Sequence, residues 1–544
     1  MNSSGSAFTP LGTWIPGQEA AVFAPAEIGL RVKRIREVMH LVRHPASGHL
    51  GLAHGGSLIT REACHNGVEL QWLATFPALY PEWLGDRSFG ETHKVRFAYV
   101  AGEMANGIST PALVIAMARA GMLGFYGAGG LSPERIEAGL DEIQGALRGS
   151  GLSYGVNLIH SPQEPELEET VAQLLSRRGV PILCASAYMS LTPSVVRLAA
   201  TGLSRDREGR ILRKHRLFAK LSRPEVARLF ASPAPQEMLQ NLVSQGELTE
   251  QEAALASVVP LVEDITVEAD SGGHTDNRPL AVLFPTIRQV VDEIAQVRGY
   301  ARPIRIGAAG GLGTPSSVAA AFGLGAAYVV TGSINQSTKE AGISEISRKM
   351  LAQADLADMI MAPSADMFEL GMKVQVLRRG TMFAQRALRL HQMYEQYDSP
   401  QVLPAKMRQE LEADVFHASF DDVWLDIQRF FAKRDPKQIE RAKVDGKHHL
   451  ALLCRWYLGQ SSRWAIEGDP TRRLDYQLWC GPAMGAFNAW VKGSFLEDVA
   501  QRSVVQVALN LLEGAAISIR ASQLRACGLP VPVQCFDMRP RPLR

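Results

Sequence analysis

The chain has 544 residues, 46% of them hydrophobic and 21% charged, with 57 basic and 55 acidic side chains and a formal net charge of +2. That composition excludes a disordered chain, and the near-neutral balance gives no overall pull toward nucleic acid or an acidic membrane. At about 150 residues per domain the length suggests three or four domains, or one barrel with large insertions.

Six cysteines, Cys64, Cys184, Cys454, Cys480, Cys527 and Cys535, are scattered and form no CxxC pair. Reduced, mostly buried thiols are expected. The first residues lack the basic segment and apolar core of a secretory signal. The apolar stretch at 318–332 is too short and too Gly-rich to span a bilayer, so a cytoplasmic protein is expected.

In chain order, residues 1–90 read as an irregular N-terminal subdomain, with a short amphipathic stretch at 28–42 and aromatics gathered at 71–86. From there short apolar runs alternate with helical patterns. Strands are expected at 95–101, 122–127, 154–159, 180–186, 216–222, 264–270, 303–309 and 326–332, each joined to the next by a helix-like connection. Apolar strands between amphipathic helices indicate a parallel sheet buried on both faces. Eight such units point to an α/β fold of the closed (β/α)8 TIM barrel type. An open doubly wound sheet is the alternative, but its GxGxxG fingerprint after the first strand is missing. The barrel is expected to fill residues 91–400 with helical insertions. Beyond residue 340 the pattern reads as helical throughout. Residues 401–544 are expected to form a helical C-terminal extension that ends in a loose tail.

Two glycine-rich loops carry the strongest chemical signal. GAAGGLGTPSSV follows the seventh strand with Gly310, Gly311 and Gly313, and VVTGSINQST holds Thr331, Gly332 and Ser333 after the eighth. Gly lets backbone N–H groups approach a phosphate closely, and in barrels that site commonly follows strands 7 and 8. A second signal is EADSGGHTDNRPL after strand 6. Gly272 and Gly273 let the backbone pass close to a flat ligand while His274 points inward, where it could give or take a proton near neutral pH. The alternative is a structural His bonded to Asp270 or Asp276. No HxH, HxxxH or CxxC partner is near, so no metal is expected. The pair His448 and His449 points apart on a helix and reads as a solvated helix start. After strand 1, VAGEMANGIS places Gly102 and Met104 where a planar ring such as an isoalloxazine could lie. Asn157 and Lys220 are polar groups inside apolar strands 3 and 5, so each meets either a ligand or an internal partner.

The ordered set VAGEMANGIS, GVNLI, FAKLS, EADSGGHTDNRP, AAGGLGTP and VVTGS resembles the flavin mononucleotide (FMN) barrels of the nitronate monooxygenase and flavin-dependent enoyl reductase superfamily. Residues 79–90, 220–235 and 468–494 resemble its PfaD-type members, the trans-acting enoyl reductases of polyketide and polyunsaturated fatty acid synthases. The resemblance covers nearly the whole chain from about residue 10. It implies an FMN-dependent enoyl reductase that uses NADPH or NADH and acts on unsaturated thioesters of an acyl carrier protein. It also implies that backbone at Ala101, Gly102 and Met104 lines the flavin ring, and that Asn157 and Lys220 contact the ring or ribityl chain. By the same resemblance, Gly272, Gly273, Gly310, Gly311, Thr331, Gly332 and Ser333 hold the phosphate, and His274 is the catalytic acid. Residues 223–260 and segments beyond 340 would shape an acyl tunnel.

The nitronate monooxygenase pattern continues GGH-x-G, whereas Asp276 stands at the last position here. A carboxylate there would narrow or polarise the pocket beside the His and weakens the case for nitronate oxidation. A carrier protein is typically acidic, and Lys373, Arg378 and Arg379 are candidates to dock it, with a solvated face as the alternative. No nucleic-acid or membrane partner is expected, and a homodimer is left open. Two other functions stay in view: a nitronate monooxygenase-like oxidoreductase and a noncatalytic docking subunit of a synthase. An IMP-dehydrogenase-like activity is disfavoured because no Cys lies in or near the loops after strands 6 to 8.

Overall fold

The computed structural model describes residues 9–60, 69–162 and 164–543, so Cys64 lies outside the described residues. Eight short strands form a closed parallel barrel. They are β1 (Tyr99–Ala101), β2 (Leu123–Tyr126), β3 (Gly155–Ile159), β4 (Ile182–Ser186), β5 (Arg216–Leu221), β6 (Asp264–Glu268), β7 (Arg305–Ala309) and β8 (Val329–Thr331). Each lies within an expected strand, and β8 pairs with β1 to close the ring. The fold is the expected (β/α)8 barrel.

Local chemistry explains the alternation. Helices Pro111–Arg119, Pro133–Ala146, Pro193–Ala200 and Pro315–Gly323 each begin with Pro after a capping Thr or Ser. Thr110, for example, accepts the Leu113 N–H at 3.0 Å. Pro has no N–H to leave unpaired at that position, and the cap satisfies one of the donors that remain.

The N-terminal end of the barrel is plugged. Phe89 stacks on Tyr328 with ring centres 4.5 Å apart, and Phe218 meets Phe125 edge-on at 5.3 Å. Gly155 and Gly307 make room, since a Cβ at either would enter the ring of Phe125 or Tyr328. Beneath the rings, Asp264 at the start of β6 accepts from Arg305 Nε at 2.7 Å and Nη2 at 2.8 Å, and lies 2.9 Å from His93 Nε2. The Asp264 and His93 side chains are fully buried. Burial opposes the Asp264 charge, yet His93 and Arg305 hold its carboxyl below the usual range.

Three regions differ from the sequence expectation. Residues 9–60 and 69–90 are not irregular. They build an antiparallel five-stranded sheet from Gly12–Ile15, Met39–Arg43, Leu50–His54, Ser57–Thr60 and Leu70–Phe76. The amphipathic stretch at 28–42 is helical only to Val32 and then enters the sheet at Met39. Met39 pairs with Phe76, a contact that local periodicity does not register.

The region beyond 340 is not helical throughout. Strands Met359–Pro363 and Lys373–Leu377 form a hairpin, whose second strand pairs with Gly273–His274. Five helices between Phe383 and Glu467 pack beside that hairpin around a core of their own, which includes Phe383, Leu411, Phe416, Leu453 and Tyr457.

The final helix, Val504–Ala526, does not extend away. It packs against Pro315–Gly323 on one side and Pro111–Arg119 on the other, the place of the eighth helix in the barrel ring. Residues 332–503 are therefore inserted between β8 and its helix. By length and composition this helix could cross a membrane, but 78% of its apolar window is buried here. On it, buried Glu513 receives a two-pronged contact from Arg36, both bonds 2.7 Å. The tail is pinned as well: Trp490 Nε1 donates to Met538 O at 2.7 Å, and the Arg541 N–H to Asn510 Oδ1 at 2.9 Å.

Candidate active site

The C-terminal ends of the strands carry a second, quite different charged group. Lys220 on β5 lies 3.0 Å from Glu103 Oε1 and 3.1 Å from Glu268 Oε1. Glu103 follows β1, and Glu268 ends β6. Ser186 Oγ, at the end of β4, donates to the same Glu103 oxygen at 2.8 Å. Burial disfavours the ammonium, but the two carboxylates outweigh it and raise the Lys220 pKa, so it carries its proton at any working pH. Lys220 thus has an ion-pair partner of the kind foreseen. Glu103 and Glu268 were not singled out from sequence, although each stands at a strand end, where a charge in a barrel signals a site.

His274 stands on the short strand Gly273–His274, held by pairing with Val374 and Gln375 of the inserted hairpin. Its Nε2 lies 3.2 Å from Asp366 Oδ1 and 3.1 Å from Oδ2, and the ring is about one-third exposed, at 36%. Burial works against the imidazolium, but the Asp366 hydrogen bond and charge prevail and raise its pKa. The partner is neither Asp270 nor Asp276, the two candidates from sequence. Asp270 accepts from Gln375 Nε2 at 2.6 Å and from Asn277 Nδ2 at 2.9 Å. Asp276 is tied to the end of β5, where it accepts from Arg223 Nε and Nη2, both at 3.0 Å, and from Ser222 Oγ at 2.7 Å. The carboxylate at that position is therefore neutralised by a fork-like Arg pair.

The glycine loops converge. A Cβ on Gly310 would come within 2.8 Å of Ala269 and Asp270, and one on Gly272 within 2.8 Å of Ser333 Oγ and the Cys480 backbone. Only Gly permits these approaches. Gly310, Gly311 and Gly273 also have φ of 89°, 71° and 83°, a region that L side chains rarely adopt. By contrast nothing lies within 4 Å of where a Cβ would stand on Gly311 or Gly332, which leaves open space over both loops. The Thr331 hydroxyl is not offered to that space. It bonds Tyr99 OH at 2.6 Å and receives Asn335 Nδ2 at 3.1 Å. Ser333 Oγ accepts the Gly481 N–H at 3.2 Å.

Next to them, where β8 pairs with β1 and the Gly102 N–H bonds the Thr331 carbonyl at 2.9 Å, the loop after β1 is braced by Ser109. Its Oγ donates to Gly102 O and accepts the Met104 N–H, both at 3.0 Å. Ala101 is fully buried and Met104 is 9% exposed. Asn157 is buried, and its Oδ1 accepts the Gly129 N–H at 3.1 Å, the internal partner foreseen as one of its two options.

Other expectations are corrected. A cysteine does reach the loop after β6, because residues 478–481 run along the inserted hairpin and bring Cys480 against Gly272. Its thiol is fully buried, and burial pushes its pKa up, so it offers no nucleophile. His448 is buried and His449 packs on Trp424 at 4.1 Å, so the pair is no solvated helix start. Arg379 bonds Asp358 and the Gln353 carbonyl, and Arg378 bonds the Ala357 carbonyl. Lys373 is exposed.

Comparison with known proteins agrees with this layout. The family model for nitronate monooxygenase matches residues 88–419, more than half of the chain. A second model, the inserted helical domain of [acyl-carrier-protein] S-malonyltransferase, matches residues 397–476, within the inserted helices. Polyketide biosynthesis protein PksE of Bacillus subtilis is 44% identical over 436 residues, 80% of this chain and 56% of PksE. One of the polyunsaturated fatty acid synthase subunits of a Thraustochytrium species is 44% identical over 449 residues, 81% of this chain and 30% of that relative. The chain thus spans about half, or less, of the length of these curated relatives. The crystal structure of the enoyl reductase domain of MlnA, from the macrolactin biosynthesis cluster of Bacillus amyloliquefaciens, superimposes with a TM-score of 0.78 at 38% identity, over 82% of this chain and 99% of that domain. A chain with this barrel and these loops, which covers 99% of that domain, belongs to the nitronate monooxygenase family and, within it, to the PfaD-type enoyl reductases.

Proposed function

We propose that the chain is an FMN-dependent enoyl reductase. It acts in trans on α,β-unsaturated thioesters of an acyl carrier protein during polyketide or polyunsaturated fatty acid synthesis, in the cytoplasm, with NAD(P)H as reductant. The observation that carries this reading is His274, held by Asp366 at the barrel mouth beside an open glycine cradle, in a chain 38% identical to an enoyl reductase domain over 99% of that domain's length. Bound FMN would supply the hydride that adds to the β-carbon of the thioester.

The chain's own residues supply the rest. The open space over Gly311 and Gly332 suits a phosphate, with Gly272, Gly273, Gly310 and Ser333 completing its cradle. Backbone at Ala101, Gly102 and Met104 would lie along the ring, near Asn157. The Lys220 ammonium, held between Glu103 and Glu268, would keep an N–H donor fixed for the ring or the ribityl chain. The imidazolium of His274 would deliver the proton that the α-carbon needs once hydride has added.

The test is direct. Purified protein should be yellow and release FMN on denaturation, and it should oxidise NAD(P)H with enoyl carrier-protein thioesters. His274→Ala should keep the flavin and lose about 100-fold or more of turnover. A protein that cannot be loaded with FMN overturns the reading. Oxygen consumption with a nitronate, and no NAD(P)H oxidation with any enoyl thioester, would replace it with nitronate oxidation.

A further inference from the structure

We propose that Asp366 is a positioning residue for His274: its carboxylate holds the Nε2 proton of the imidazole, so that Nδ1 is the nitrogen that hands a proton to the substrate. This rests on the enoyl reductase reading for the identity of that substrate, but not for the contact itself.

The geometry has two parts, and both come from the hairpin inserted after β8. Its second strand, Lys373–Leu377, pairs Val374 with His274 and Gln375 with Gly273, which fixes the backbone of the histidine. Gln375 also reaches past the pairing, donating from Nε2 to Asp270 Oδ1 at 2.6 Å and Ser271 O at 2.7 Å, so the loop carrying His274 is tied down on both sides. The turn between the two hairpin strands then places both Asp366 oxygens about 3.1–3.2 Å from Nε2. A carboxylate is acceptor-only, so Nε2 must carry hydrogen in this contact. No partner for Nδ1 exists among the described residues, and the ring is one-third exposed, so Nδ1 is the nitrogen left to meet a ligand or water.

The charged groups facing the imidazole are Asp366 from the hairpin, Glu268 from β6 and Lys220 from β5. Lys220 opposes the imidazolium and is itself bonded to Glu268 and Glu103. Among the described residues Asp366 is therefore the one carboxylate in contact with the ring, and its removal should leave His274 a weaker base.

The step balances. Hydride adds to the β-carbon, and the resulting α-carbanion, stabilised as the enolate of the thioester, takes the proton from Nδ1–H. The imidazole is left neutral with its remaining proton on Nε2 toward Asp366. Solvent at the mouth then restores the Nδ1 proton. The two electrons come from NAD(P)H, the reductant of the proposed reaction.

Asp366 is 57% exposed, so its substitution disturbs no core. The test is an NMR titration of 15N-histidine-labelled full-length protein, with His274 assigned by its absence in His274→Ala. In Asp366→Asn the His274 pKa should fall by about one unit, a tenfold change in the protonated-to-neutral ratio above the pKa. The neutral ring should be the Nε2–H tautomer in the wild type. The alkaline limb of kcat for enoyl reduction should move down with it, Asp366→Glu should restore most of both shifts, and FMN content should not change. An unchanged His274 pKa in Asp366→Asn, or an Nδ1–H tautomer in the wild type, overturns the assignment. A wild type that reduces no enoyl thioester overturns the enoyl reading and Nδ1 as its donor, whereas the titration still decides whether Asp366 holds the ring.

Discussion

The two ends of the barrel each carry a charged cluster, and they are built to opposite specifications. At the N-terminal end His93, Asp264 and Arg305 sit under a lid of aromatic rings, the first two wholly buried, with the carboxylate oxygens matched to nitrogen donors. At the C-terminal end Lys220 bridges two carboxylates with only part of Lys220 and Glu268 exposed, and His274 and Asp366 stand partly in water. A buried ion pair offsets its desolvation only if every partner stays in place. A half-open cluster can exchange protons with solvent and still persist. The same kinds of side chain therefore serve as a stopper at one end and, in the proposed function, as chemistry at the other.

That contrast can be broken in measurable ways. The largest expected effect is at the closed end. Asp264→Ala would leave Arg305 buried without its counter-charge and should cost about 3–5 kcal/mol in urea unfolding. Flavin-dependent turnover per folded molecule should stay unchanged. A mild cost would mean that the plug is not a stability element. Next is Gly155→Ala, which drives a methyl into the Phe125 ring and should cost about 1–3 kcal/mol through overpacking.

Lys220→Met tests the open end. Lys220 and Glu268 are each 19% exposed, so water can take the place of the cation and the stability loss should be smaller, about 1–2 kcal/mol. FMN affinity or turnover should nevertheless drop at least tenfold. Equal losses of stability at the two ends would dissolve the comparison.

The smallest effect is set by pH. The raised His274 pKa means that its contact with Asp366 contributes fully below the ordinary histidine pKa and is lost as pH rises through the folded value. The lowered Asp264 pKa works the other way: its contribution is present above the ordinary carboxylate pKa and is lost only as pH falls through the folded value. Hydrogen exchange across alkaline pH should therefore loosen the turn around Asp366 first and leave β6 and β7 protected.

The legibility of the molecule follows the same divide between local and distant information. The eight strands were readable because each is a short apolar run between helical patterns, and four of those helices start with Thr-Pro or Ser-Pro. His274 and the glycine loops stood out as candidates because the signal lies in adjacent residues, and their roles are part of the proposal. The Glu103–Lys220–Glu268 cluster was half-readable: Lys220 stood out in an apolar strand, but its partners come from two other strands. Asp366 was out of reach, being 92 residues from His274 in a stretch whose apolar run, MIMAP, passes for helix until its hairpin partner is known. The N-terminal sheet was missed for the same reason, since its strands are defined by pairing across the sheet.

The return of Val504–Ala526 to the barrel ring has a consequence for how the protein is made. After β8 emerges from the ribosome, about 170 further residues must be synthesised before the eighth helix begins. At typical elongation rates that is roughly ten to thirty seconds. Through that interval the helices Pro111–Arg119 and Pro315–Gly323 have an uncovered flank, which makes the nascent barrel a client for chaperones. It also means that a gene cut near codon 400 would not yield a trimmed barrel, but one missing a stave.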